Sequence, residues 1–94
     1  MTDVAVKRDD EKNVYEARLY GRTVGRAYFR TRPGRVVFTH TKIDPEHEGE
    51  GIGSALARGA LDDVRARGLR AVPECEFIAG YIEEHQAYAD LVAT

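Results

Sequence analysis

The sequence predicts an α/β (α+β) domain ordered β-β-β-β-α-β-α, an antiparallel meander of four strands followed by a helix and a fifth strand parallel to the fourth. Three observations predict it. The first 43 residues hold four segments of alternating or β-branched pattern separated by polar or glycine-containing turns. A glycine-rich stretch, Gly49-Glu50-Gly51-Ile52-Gly53, then passes directly into an amphipathic helical pattern. Beyond it come a short apolar strand stopped by Pro73 and a second helical pattern.

Val4-Ala5-Val6 begins the series and is closed by the polar turn Asp9 to Asn13. Tyr15, Ala17 and Leu19 alternate with Glu16, Arg18 and Tyr20, the period of a strand with one face on the core. Gly21-Arg22 turns the chain into a third strand over Val24 to Phe29, which Pro33-Gly34 ends. The fourth, Arg35 to Ile43, is apolar enough to lie inside the sheet. A helix is expected from about Gly51 to Arg67, because Ile52, Leu56, Ala60 and Val64 recur every fourth residue. Asp63 and Arg67 make a favourable pair on it, and Gly68 suits its end. Leu69 to Val72 is the fifth strand, and a strand, crossover helix and strand make a parallel unit. From Phe77 the apolar positions Ile78, Tyr81, Ile82, His85 and Tyr88 follow helical spacing, with a break expected near Gln86.

Ninety-four residues, 43% of them hydrophobic, supply one small core, so residues 1–94 are read as a single domain. Pairing enlarges the core of so small a domain, which leaves a homodimer open. No apolar run approaches the ~20 residues of a membrane span, and Met1-Thr2-Asp3 does not open a leader. A single cysteine fits a reducing, cytoplasmic setting. The net charge of −2 conceals a division: residues 1–43 carry +5 and residues 44–94 carry −7. The arginines from Arg18 to Arg35 are spread along strands and match no nucleic-acid motif, so they are read as a solvated sheet face and no nucleic-acid partner is expected. The acidic half suits a cationic amine.

Strand, glycine turn and helix together imply a ligand. Alternate glycines let the backbone approach a group closely, and the N–H groups of Gly51, Ile52, Gly53 and Ser54 would then point into one volume as the helix begins. Phosphate is the natural occupant. The spacing is not that of a dinucleotide fingerprint, and no lysine follows as in a Walker loop. One cysteine and three scattered histidines give no metal site.

Residues 48–53 resemble the acyl-coenzyme A loop of the GNAT superfamily of N-acetyltransferases, whose pattern is Gln/Arg-x-x-Gly-x-Gly/Ala between a strand and a helix. Gly51 and Gly53 match, while Glu48, flanked by Glu46 and Glu50, stands where that family has Gln or Arg. The tail Cys75-x-Phe77-Ile78-x-x-Tyr81-Ile82-x-x-His85-x-x-Tyr88 is similar to minimal single-domain members of about this length. The resemblance covers residues 4–92 and implies acetyl-coenzyme A as cosubstrate and a small-molecule or protein amine as acceptor. It implies that strands four and five splay apart, with the pantetheine arm in the gap against the backbone of Thr41 and Ile43. The loop Glu48, Gly49, Glu50, Gly51, Ile52, Gly53 and Ser54 would take the diphosphate, with affinity lowered by the carboxylates.

By the same resemblance the thioester points to the residues after strand five, where Cys75 stands. A thiolate attacks a thioester, but Glu74 and Glu76 oppose that form, and a small buried hydrophobe is the alternative role for Cys75. Direct attack by the amine needs a base and an acid. Tyr81 matches the acid, and His40 and His85 are candidate bases because an imidazole titrates near neutral pH. Each has a packing role as its alternative. A non-catalytic acyl-coenzyme A sensor and a protein-interaction module with a structural glycine turn are the rival functions.

Overall fold

A computed structural model of the chain describes residues 4–93. Met1 to Asp3, where no leader was expected, lie outside the described residues. Five strands form one sheet in sequence order: β1 (Ala5–Asp9), β2 (Val14–Leu19), β3 (Arg22–Arg32), β4 (Arg35–Ile43) and β5 (Arg70–Pro73). The first four pair antiparallel, and β5 pairs parallel to β4. Helices α1 (Ile52–Ala66) and α2 (Glu76–Glu84) complete the order expected from the sequence. The break near Gln86 is real: α2 stops at Glu84 and a 3-10 turn, Gln86–Leu91, follows. Val92 then bridges to Ala71, docking the tail on the outer side of β5.

The four-residue recurrence on α1 works as the pattern requires. Ile52, Leu56, Ala60 and Val64, joined by Ala57 and Leu61, are buried against Tyr15, Ala17, Ala27, Phe29, Val36 and Phe38 of the sheet. Arg67 donates to Asp63 at 2.7 Å, the expected pair. Asp63 also accepts from the Tyr15 hydroxyl at 2.7 Å, and burial, with that bond, pushes the Tyr15 phenol up. The far end of α1 is thereby tied to β2.

The sheet's outer face departs from the solvated surface expected of it. Val14, Glu16 and Val37 alternate with the core residues, yet all three are buried. Glu16 stands opposite Lys7 on β1 and Arg26 on β3, and it accepts from Arg18 at 2.9 Å. The stems of these long side chains close over the small apolar ones beneath them.

β3 is longer than its apolar segment because Arg22-Thr23 and Arg30-Thr31-Arg32 continue the ladder with polar side chains. Its hairpin with β2 turns on Tyr20 and Gly21, at φ +51° and +79°. Two positive values fit the tight turn between twisted strands, where Asn-Gly is the preferred pair. A bulky Tyr20, 88% exposed, carries the strain without contributing contacts. Tyr20→Asn is expected to stabilise the domain by about 1 kcal/mol, raising Tm by about 4 °C or more. A melting curve shifted downward would show that Tyr20 has a partner or fit of its own.

Candidate functional site

β4 is the strand on which the site is built. Its ladder with β3 shifts register between Tyr28 and Phe29, so Thr39 is an extra residue and bends the strand. Beyond the bulge Thr41 and Ile43 face the helix layer, opposite Ala27 and Gly25. On its other side β4 pairs with β5 only as far as Phe38 and Pro73. The Cys75 N–H donates to the Phe38 carbonyl at 2.9 Å, and the chain then leaves the sheet as α2. From Thr39 to Ile43, β4 therefore has a strand partner on one side only. This is the parting of strands four and five that the sequence reading anticipated.

A 3-10 turn, Pro45–His47, and a glycine turn carry the chain from β4 to α1. Gly51 caps α1 at φ +82°, a conformation that L side chains seldom take, and no side chain caps the helix. Among the described residues no protein group accepts from the amides of Gly51, Ile52, Gly53 or Ser54. Four donors are left open. They face a cleft of about 500 Å³ whose opposite wall is Thr41, Lys42 and Ile43.

Of the nine residues expected to hold the coenzyme, eight line this cleft. The exception is Glu50, which turns to His47 at 3.0 Å. Lys42, His47 and Phe77 also line it and were not foreseen. Phe77 was read as the start of the apolar helical pattern, but it is 43% exposed and lies over Gly53, where an added Cβ would sit 2.6 Å from its ring. Only glycine fits beneath that ring, and the glycine was the available signal.

Cys75 is buried and does not itself line the cleft, but its Sγ lies 3.2 Å from the Oγ1 of Thr41, which does; either atom can donate. Glu74 points away to Arg30, which donates to it at 3.3 Å, and so is partly neutralised. The other candidates are elsewhere. Tyr81 stacks on His85 with centroids 3.9 Å apart, and the His85 Nδ1 meets the Tyr81 carbonyl oxygen at 2.8 Å. Burial pushes the Tyr81 phenol up, and its charged neighbours are Arg58 and Asp62 of α1. A smaller hollow along the α1–α2 groove, lined by Ser54, Glu76, Phe77 and Tyr81, adjoins the main cleft at Ser54 and Phe77. His40 is exposed on the outer face, stacked on Tyr28 at 6.0 Å. Neither histidine, nor Tyr81, is hydrogen-bonded to Cys75. Among the described residues no group of three or more His, Cys, Asp or Glu side chains is placed to hold a metal, and no helix is long and apolar enough to cross a membrane.

Comparison with known proteins agrees with this architecture. The solution structure of a GCN5-like protein from Staphylococcus aureus superposes with a TM-score of 0.72 at 19% identity, over 99% of this chain and 91% of that one. The crystal structure of the ribosomal-protein-S18-alanine N-acetyltransferase from Escherichia coli gives 0.66 at 12% identity, over 89% of this chain and 76% of that one. No curated protein matches the sequence. The family model described as GCN5-related N-acetyl-transferase matches residues 14–91, so the chain belongs to the GCN5-related N-acetyltransferases.

Proposed function

We propose that the protein is an N-acetyltransferase that takes the acetyl group of acetyl-coenzyme A to an amine. The observation that carries this reading is the set of open amides from Gly51 to Ser54, aimed across the cleft at the one-sided stretch of β4. A helix N-terminus with free N–H groups favours phosphate. The β4 backbone from Thr41 to Ile43 offers hydrogen bonds along an extended arm, as a missing strand would take them. A ligand running from the first feature along the second ends at Cys75 and Thr41. Acetyl-coenzyme A supplies an activated acyl group on a good leaving thiolate.

At that end Cys75 is the proposed nucleophile. Its sulfur gives up its proton and forms a bond to the acetyl carbon as the coenzyme's carbon–sulfur bond breaks, and the departing coenzyme thiolate takes up that proton directly or through water. The amine then attacks the acetyl-cysteine, the cysteine leaves, and the amine's proton passes to a thiolate or to water. Thr41, whose Oγ1 lies 3.2 Å from the Cys75 sulfur, holds the cysteine rotamer and can donate to the sulfur once its proton has left. Tyr81, His85 and His40 remain the proposed acid and bases for direct transfer.

A sensor that binds acyl-coenzyme A without transferring it is the second reading. It is favoured by the stacking of Tyr81 on His85, which engages acid and base with each other. Melting the protein with and without coenzyme A tests binding, since ligand at a hundred times Kd adds about 2.7 kcal/mol. No shift would leave a protein-interaction module with a structural glycine turn. A shift without thiol release from acetyl-coenzyme A across a panel of amines would establish the sensor.

A further inference from the structure

The loop that presents the open amides is acidic. Glu46, Glu48 and Glu50 stand beside it, and Glu48 lines the cleft. Each such carboxylate a few ångströms from an anionic ligand opposes its binding even in water. His47 is engaged with Glu50. Among the residues that line the cleft the one lysine or arginine is Lys42, on β4 between Thr41 and Ile43.

Lys42 is exposed, and among the described residues it forms no ion pair. The β3–β4 register sets it directly opposite Arg26, which forms none either. Like charges opposite one another oppose strand pairing. Glu16, opposite Arg26 on β2, does not answer them, because its carboxylate is turned to Arg18. Two adjacent cations without a carboxylate, one of them on the rim of a cleft with four open amides, make a site that an anion completes.

We propose that Lys42, backed by Arg26, is the phosphate-binding cation of this cleft and holds a phosphate of the acyl-coenzyme A donor. The proposal rests on the functional reading above. The amides of α1 offer fixed partial charges from one wall, while Lys42 brings a full charge on a flexible stem from the other. It supplies the attraction that the three glutamates remove. Coenzyme A carries phosphate both in its diphosphate and on the ribose 3′-oxygen, and an ammonium suits either.

Titration calorimetry with coenzyme A and with dephospho-coenzyme A, which lacks the 3′-phosphate, tests it on four proteins. Lys42→Gln is expected to weaken coenzyme A binding by about tenfold, the size of a lost hydrogen bond to a charged group. Lys42→Arg keeps the charge and should stay within about threefold of the wild type. Lys12→Gln removes the same charge from the β1–β2 turn and should change Kd by less than about twofold. An equal loss with dephospho-coenzyme A assigns Lys42 to the diphosphate, and a loss confined to coenzyme A assigns it to the 3′-phosphate. A wild type that binds coenzyme A while Lys42→Gln behaves like Lys12→Gln overturns the role of Lys42 alone. A wild type that binds neither nucleotide overturns the functional reading and this proposal with it.

Discussion

Gly53→Val is expected to abolish coenzyme A binding while leaving the fold intact. A Cβ at this position lies 2.6 Å from the Phe77 Cζ and 3.2 Å from its Cε1, so the ring has to move. Phe77 is half exposed and lines both the cleft and the adjoining α1–α2 hollow, so the ring can give way. The valine methyls add bulk beside the amides of α1, where a phosphate has to come close. Helix formation does not suffer, because glycine is a poorer helix former even than valine, by a few tenths of a kcal/mol. The apo melting temperature should therefore hold. Affinity should fall by about a hundredfold or more, equivalent to about 2.8 kcal/mol. The measurement is the ligand-induced shift in Tm for variant and wild type side by side. An undiminished shift in Gly53→Val would mean that the ligand does not approach the first turn of α1.

Removal of the Cys75 sulfur is expected to have the largest effect on turnover. Cys75→Ala deletes one small atom that is buried beside Thr41, a residue of the cleft wall. Coenzyme A binding should persist, since the open amides and the β4 backbone are untouched. Transfer to an amine should fall about a thousandfold, corresponding to about 4 kcal/mol of lost transition-state stabilisation. Rapid-quench intact mass after acetyl-coenzyme A alone should show a labile acetyl adduct on the wild type and none on the variant. Wild-type protein that turns over without any adduct would instead favour direct attack by the amine. Substitution of Tyr81, His85 and His40 would then find the proton carriers.

The boundaries of β4 were legible because both ends are punctuated, by Pro33-Gly34 on one side and Asp44-Pro45 on the other. Between them lies a run whose β-branched and aromatic residues suit nothing else. The parallel partner followed from the length of α1, since such a helix returns the chain to the same end of the sheet. The glycine turn was legible because three glycines in five residues have few structural uses. The burial of Glu16 and Val14 was not legible, because it comes from side chains on β1 and β3 that the sequence of β2 does not contain. Lys42 was hidden for a related reason. Alternation assigns it to the outer face, and only the absence of a β5 partner beside it lets that face border the cleft. Phe77 is the aromatic ring on the cleft itself, whereas Tyr81, one turn further along α2, lines the adjoining α1–α2 hollow.

The half-paired length of β4 has a consequence for the protein's life without its ligand. An interior seam of amide and carbonyl groups, left unstitched from Thr39 to Ile43, is as ready a template for a stray segment of polypeptide as any outer margin of a sheet. Under the proposed function, a donor lying along it would act as a temporary sixth strand. Bound donor would then add to folding stability by mass action and cover the seam against stray pairing.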